Sequence, residues 1–343
     1  MEETRPGLGQ RLRNNWLELL LLLIFVAAIA WIATTARGVY KAVAVVPTET
    51  PTTTPTAPPR AEQPGTVAAT PQPQRDTFDG QLAARIATDL VDAGPRVVGS
   101  DGHLAAVGQM IGQLRQSAWG LQQQSFTVED LQHTNIIARS GNGDIIVVAA
   151  HYDTAPVSDL DPDEANRLTP SPGANDGASG PAILLELARS LDKDALNGQV
   201  WLAFLDGKYT PASVDGSVQE ADSGASALAQ ALPDNVKAVI LVDLAGDADQ
   251  RFTILPNGDP QVAADLWAVA EQLGYARWFV PETSAAPDSS VQLFADLGLP
   301  TSAIVDSDYS YLRTTGDTPD KLSSGSLERV GRVLEVYLEK QGQ

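Results

Sequence analysis

Apolar positions follow two periods along this chain, and segments of the two kinds alternate. Helical spacing appears at Leu82–Val91, Leu104–Leu114, Pro181–Leu191, Ala225–Leu232, Val262–Leu273 and Leu327–Leu338. Short, β-branched apolar runs appear at Asn135–Ala138, Ile145–Ala150, Val200–Leu205, Ala238–Val242 and Thr301–Val305. Strands that alternate with helices predict an α/β fold: a three-layer α/β/α sandwich with a mostly parallel central sheet covered on both faces. This pattern occupies residues 77–343, and no internal repeat interrupts it.

A different pattern precedes it. From Trp16 to Ala36 the chain is almost wholly apolar, broken only by Glu18 near one end and by Thr34 and Thr35 at the other. At 1.5 Å per residue such a helix crosses a hydrocarbon core of ~30 Å, with Trp16 and Trp31 placed as interfacial belt residues. Arg5, Arg11 and Arg13 precede the span and Arg37 and Lys41 follow it, which favours a short cytoplasmic N-terminus over 1–15. Residues 16–36 then read as a single-pass anchor in the cell membrane. The competing reading is a cleaved signal peptide, since Ala28-Ile29-Ala30 and Thr34-Thr35-Ala36 offer small-residue cleavage sites. Both readings put the C-terminal domain outside the cytoplasm. Residues 37–76 turn Pro- and Thr-rich from Pro47 onward and read as a disordered, extended tether.

Composition adds two exclusions. The chain has no cysteine, so an extracytoplasmic domain here relies on its core and not on disulfides. A net charge of −20 argues against nucleic acid as a partner. Asp159, Asp161, Asp163 and Glu164 form one acidic loop whose spacing faintly suggests calcium but lacks the glycine and closing glutamate of an EF-hand.

Candidate chemistry lies at the end of the Ile145–Ala150 run, where His151 and Asp153 emerge at the carboxyl edge of a buried strand. A neutral imidazole and a carboxylate are suitable zinc ligands, and Asp153 is also placed to orient the imidazole from behind. Downstream, Gly173-Ala174-Asn175-Asp176-Gly177-Ala178-Ser179-Gly180 opens an apolar helix, holding the Asp176 carboxylate at a helix start on the same edge.

These two segments resemble the zinc aminopeptidase and glutaminyl cyclase family, metallopeptidase family 28. The likeness runs from about Phe78 to the C-terminus and includes Arg96-Val97-Val98-Gly99-Ser100, Val242-Asp243-Leu244-Ala245-Gly246 and Asp317-Thr318-Pro319-Asp320-Lys321-Leu322. The resemblance implies a zinc-aminopeptidase-like, mixed sheet of about eight strands. It also implies two zinc ions bridged by Asp176, with His151, Asp176 and Asp243 as the ligands of one.

The other half of that site is missing. Where the family has Phe-x-Asp-Gly-Glu-Glu, this chain reads Phe204-Leu205-Asp206-Gly207-Lys208-Tyr209, so Lys208 stands at the general-base position and Tyr209 at a ligand position. Where the family has Trp-His-Thr, it reads Leu312-Arg313-Thr314; its histidines are His103, His133 and His151, so none lies downstream. A Ser-Asp-His-x-x-Phe of many relatives corresponds to Ser289-Ser290-Val291-Gln292-Leu293-Phe294. The expectation is that Lys208 and Arg313 replace the second metal electrostatically by neutralising Asp176. Zinc is then held as zero or one ion. The leading functional expectation is an impaired or inactive homologue that binds a peptide or protein. The alternative is a single-zinc aminopeptidase or glutaminyl-cyclase-like enzyme drawing its base from Asp206, Asp153 or Glu220.

Overall fold

The structure, a computed structural model, describes residues 77–340 apart from 197, 214, 215, 285 and 287. The expected anchor over 16–36, the tether over 37–76 and the terminus over 1–15 therefore lie outside the described residues. Among the described residues no helix is long and apolar enough to cross a membrane.

In chain order the helices are α1 (Gly80–Asp92), α2 (Asp101–Gln116), α3 (Gly180–Ser190), α4 (Ser223–Ala231), α5 (Pro260–Gln272), α6 (Ser289–Asp296) and α7 (Ser324–Lys340). The strands are β1 (Gly120–Val128), β2 (Leu131–Gly141), β3 (Ile145–His151), β4 (Gln199–Leu205), β5 (Val236–Asp243), β6 (Phe252–Ile254), β7 (Phe279–Thr283) and β8 (Thr301–Val305). Six of them form one sheet in the order β1-β2-β4-β3-β5-β8. The β4-β3-β5-β8 portion is parallel, and β2 joins β4 antiparallel. The sheet is thus mixed.

Side chains that alternate along each strand divide the core in two, as a period of two requires. Ile146, Val148, Leu202, Phe204, Ile240 and Ile304 pack with α1, α2, α3, α5 and α7 on one face. Val147, Ala149, Ala203, Val239, Leu241 and Ala303 pack with α4 and α6 on the other. β3 is buried at every position because both its faces are covered. The three-layer sandwich expected from the periodicity is therefore present.

The expected sheet of about eight strands is corrected to one of six plus a separate parallel pair, β6 with β7. The physical reason is length: β6 spans 3 residues, and Phe252 and Phe279 of the pair are buried against Trp267 of α5. Four elements escaped the apolar pattern altogether, the short β6 and β7 among them. β1 is an edge strand exposed on most of its length, so its Gln122-Gln123-Gln124 run carries no core signal. α6 is 8 residues long and buries only Ser290, Val291 and Phe294.

Helix starts are set by local chemistry. Asp79 caps α1 by accepting from the Gln81 and Leu82 amides, Ser100 caps α2 by accepting from the His103 amide, and Asp288 caps α6 through Val291. α3 lacks a side-chain cap and instead grows out of an irregular turn over Asn175–Ser179. Two glycines permit that turn. Gly177 has φ +97°, and a Cβ there would lie 2.4 Å from the Asp153 carbonyl oxygen. At Gly180 a Cβ would meet Ala150 Cβ at 2.6 Å and the Val242 oxygen at 2.7 Å, so only glycine lets α3 approach β3 and β5.

Candidate metal centre

His151 ends β3, Asp243 ends the adjacent β5, and the turn before α3 swings Asp176 over both. His151 Nε2 lies 3.3 Å from Asp176 Oδ1 and 3.2 Å from Asp243 Oδ1. His151 Nδ1 faces the Asp153 carbonyl oxygen at 3.1 Å. That hydrogen bond puts a proton on Nδ1 and aims the Nε2 edge at two carboxylate oxygens. A lone pair cannot face two anionic oxygens unless a cation lies between them: either a second proton on the ring or a metal ion. Four tetrahedral ligands at ~2.0–2.1 Å from zinc stand ~3.3 Å apart, which matches the two distances from His151 Nε2. The three ligand atoms converge within 4.8 Å, and theirs is the one such cluster among the described residues.

The protonated alternative is also favoured electrostatically. Burial disfavours a charge on His151, but Asp243, Asp153 and Asp176 outweigh it and raise its pKa well above the ordinary value. Asp243 is correspondingly lowered: burial raises it, and His151 and Lys208 more than reverse that. Asp243 Oδ1 also accepts the Leu244 amide at 2.8 Å, and Leu244 adopts φ +50°, a left-handed conformation unusual for a leucine.

Two residues outside the triad hold its frame. Asp317 accepts the Asn175 and Asp176 amides at 2.8 and 3.0 Å and the Tyr309 hydroxyl at 2.6 Å. Burial and the neighbouring Asp176 push its pKa up to about 6. Arg96 is fully buried and donates to the carbonyl oxygens of Tyr152, at 2.9 Å, Pro172, at 3.0 Å, and Gly173. Burial lowers its pKa to about 10, against the pull of Asp317, Asp176 and Asp153. The sequence marks both residues only as parts of motifs; a fully buried arginine cannot be told from an exposed one by composition.

The replaced positions have acquired partners of their own, and not the expected ones. Arg313 does not reach Asp176. Its Nη2 donates to Asp159 Oδ2 at 3.2 Å, and its Nε lies 3.0 Å from Asp159 Oδ1, off the hydrogen-bond line. Lys208 Nζ is 3.4 Å from Glu220, 3.6 Å from Asp222 and 4.0 Å from Asp243. The group that caps Asp176 is Tyr209, whose hydroxyl lies 2.8 and 2.7 Å from the two carboxylate oxygens. The phenol thus engages both oxygens of the Asp176 carboxylate. Its ring meets His151 edge-on at 5.9 Å.

The expected role of Asp153 is also divided. Its backbone carbonyl orients His151, whereas its carboxylate lies 3.7 Å from Nδ1 and accepts the Lys208 and Tyr209 amides at 3.0 and 3.2 Å. Asp206, weighed as a base, points away from the triad: His103 Nε2 lies 3.0 Å from both its oxygens, His133 Nδ1 is 3.7 Å away, and the Thr134 amide donates at 2.7 Å. Burial alone would raise Asp206, but the two histidines hold it well below the ordinary carboxylate range. All three histidines of the chain are thereby placed. The acidic loop is likewise spent on contacts: Asp161 accepts the Thr315 amide and hydroxyl at 2.9 and 2.6 Å, and the Asp163 amide at 3.0 Å.

Comparison with known proteins agrees with this geometry. Curated relatives include YfbL of Escherichia coli (strain K12), 34% identical over 119 residues that make up 34% of each chain. A probable zinc metalloprotease of Pyrenophora tritici-repentis is 32% identical over 154 residues, 40% of this chain and 29% of the relative. The chain thus spans about a third of the length of the curated relatives it matches. Among solved structures, a Bacteroides thetaiotaomicron glutaminyl cyclase bound to N-acetylhistamine superposes with a TM-score of 0.72 at 26% identity, covering 78% of this chain and 99% of that one. A zinc-dependent exopeptidase from Parabacteroides distasonis gives 0.69 at 25% identity, covering 76% and 98%. Zinc is the metal these relatives imply, and the His151–Asp176–Asp243 cluster is consistent with zero or one ion. With the sequence profile of peptidase family M28 matching residues 135–338, the chain belongs to that family.

Proposed function

We propose that this chain is a membrane-tethered, extracytoplasmic binding or scaffold module on the M28 peptidase fold, with hydrolysis impaired or lost. The observation that carries this reading is Lys208. At the family's general-base position stands a buried ammonium set among Glu220, Asp222 and Asp243. Burial works against that charge, but Asp222, Asp243 and Glu220 outweigh it, so the amine stays protonated and has no lone pair with which to take a proton from water. General-base assistance is worth ~10²- to 10⁴-fold in rate. Tyr209 supports the same reading, because a phenol raised well above its ordinary pKa, by burial first and then by Asp176, is neither a metal ligand nor a base. The cleft is left to recognise a peptide or protein. In this reading residues 16–36 anchor the chain and 37–76 hold the domain away from the bilayer.

A second reading rests on the convergence of the triad on one point: a single-zinc aminopeptidase or glutaminyl-cyclase-like enzyme. His151, Asp176 and Asp243 would hold the ion, which when bound polarises a carbonyl and lowers the pKa of water. Asp153 fixes the His151 tautomer through its carbonyl, Tyr209 fixes the Asp176 carboxylate, and Lys208 stabilises negative charge beside Asp243.

The two readings separate on the purified full chain with added zinc, assayed against amino-acid anilides and N-terminal glutaminyl peptides. The binding-module reading expects no turnover above background and at most one zinc per chain. Turnover abolished both by chelator and by His151→Ala would overturn it in favour of the enzyme. Protease protection of the domain in intact cells tests its expected exposure outside the membrane.

A further inference from the structure

The two edges of the six-stranded sheet end differently. β8 is buried at every position, and the segment after β6 closes over it, the Asp259 amide donating to the Thr301 carbonyl oxygen at 2.6 Å. β1, at the opposite edge, pairs with β2 alone, and among the described residues no loop backbone bonds to it. Along such an edge every second residue turns its N–H and C=O away from the sheet. β1 therefore presents a row of backbone donors and acceptors that only solvent or another strand can satisfy.

Exposed edges are ordinarily blunted by a charged side chain, a proline, a bulge or a covering segment. β1 has none of these. Its sequence, Gly-Leu-Gln-Gln-Gln-Ser-Phe-Thr-Val, carries neither charge nor proline. Its pairing with β2 runs from Gly120 opposite Arg139 to Val128 opposite Leu131 without a shift in register. Gln122, Gln123, Ser125, Thr127 and Val128 are exposed.

Charge selects the strand that fits this edge. A chain of net charge −20 repels copies of itself over most approaches. Two β1 strands, however, meet with no like charges opposite one another, and serine and threonine side chains pair favourably across strands. The ends set the orientation. Glu129 and Asp130, both exposed, form the turn just past β1, and a parallel pair would set two such turns side by side. An antiparallel pair separates them by more than the length of β1, ~30 Å. The charges before β1 are mixed: Arg115 ends α2, and Lys193, which donates to the Ser117 carbonyl oxygen, stands between Asp192 and Asp194. That end does not add to the repulsion when the acidic turn of a second copy approaches it.

We propose that β1 is a self-association edge, at which a second copy of this chain pairs its own β1 antiparallel about a two-fold axis and joins the two sheets into one. Such an interface is self-complementary, each copy offering the same strand to the other. Full overlap of the two strands centres on Gln124 and sets Gln123 of each copy opposite Ser125 of the other.

The test is a charge swap on the full chain in mild detergent, with dimerisation followed by sedimentation velocity over a concentration series. Gln123→Lys with Ser125→Lys sets like charges opposite at two symmetric places and should weaken the dimer roughly tenfold. Gln123→Lys with Ser125→Glu sets opposite charges at the same places and should restore it. Both positions are exposed, so the unfolding midpoint should stay at the parent value in each variant. The register is read independently by single cysteines, since the chain has none of its own. Gln123→Cys lies beside the axis, ~7 Å from its copy, and should be crosslinked by a short bismaleimide. Thr127→Cys, ~20 Å from its copy, should not. The proposal is overturned if the parent stays monomeric throughout the series, or if the Lys–Lys variant associates as well as the parent, which would place association on another surface. It is equally overturned if the Lys–Glu variant associates no better than Lys–Lys, or if Thr127→Cys crosslinks as readily as Gln123→Cys.

Discussion

The two halves of the candidate site differ in how their charges are balanced. On one half, His151, Asp176 and Asp243 converge at spacings that call for a shared cation. On the other half, each replaced position has its own internal partner: Lys208 has carboxylates, Tyr209 has Asp176 and Arg313 has Asp159. Carboxylates in that half are therefore not left facing one another without a partner. A phenol hydrogen bond at Asp176 and an ammonium beside Asp222 and Asp243 balance those carboxylates. The half that still needs a cation and the half that supplies its own meet at Asp176 and Asp243, which belong to both.

The comparison breaks most severely at Lys208. Removing its charge with Lys208→Met leaves the buried Asp222 and the part-buried Asp243 around an apolar side chain, and loss of one partner from a buried ion pair costs about 3–5 kcal/mol. Thermal or denaturant unfolding should register that loss, and a variant as stable as the parent would mean the carboxylates rearrange or protonate without penalty. Tyr209→Phe comes next. It deletes the hydroxyl that donates to Asp176 and should cost about 1–3 kcal/mol without metal. Zinc binding, followed by calorimetry, should tighten in the same variant, because both Asp176 oxygens become free for the ion. A Tyr209→Phe variant with weaker zinc affinity would show that the phenol orients Asp176 for metal and does not compete with it.

Much of this arrangement was legible in the chain. Ile145–Ala150 and Val200–Leu205 announce buried strands because β-branched and apolar residues fill both faces, and the glycines at 177 and 180 mark the turn that places Asp176. The vacated positions 208, 209 and 313 were legible as well, since they stand inside segments that otherwise match. Which partner each would choose was not. Arg313 carries a long, flexible side chain on a loop with φ +49°, and its direction is set by an acidic loop some 150 residues earlier in sequence. Tyr209 reaches Asp176 only because the Asp153 carboxylate ties down the amides of residues 208 and 209, a contact that no periodicity encodes. β1 stayed hidden for a different reason: an exposed edge strand buries too little to need apolar residues.

A third group of carboxylates sharpens the comparison, since among the described residues no cation pairs with it. Asp306, at the end of β8, is raised to about 8 by burial, by its hydrogen bond with Asp308 and by Asp247. Its folded pKa exceeds its unfolded value, so its contribution to stability is fully present below about pH 4 and is lost as pH rises through about 8. Unfolding free energy measured against pH should therefore decline across that window. Asp306→Asn should flatten the decline and leave the variant more stable than the parent at pH 8. An unchanged pH profile would place the loss elsewhere.

The smallest effect is expected at Arg313, and its size tests whether the two halves are separate. The Arg313–Asp159 pair is 16% exposed on each side, more buried than a surface pair yet still reached by solvent. Exposed pairs contribute 0–1 kcal/mol, so Arg313→Ala should lower stability by about 1 kcal/mol. Because the guanidinium engages Asp159 and not Asp176, the substitution should leave zinc affinity at the triad unchanged. Its local effect should fall on the contact between the acidic loop and residues 313–315, read as faster amide exchange in that loop, where Asp161 still holds Thr315. A change in zinc affinity as large as that of Tyr209→Phe would instead tie Arg313 electrostatically to Asp176 across the cleft, and the division drawn between the two halves would fail.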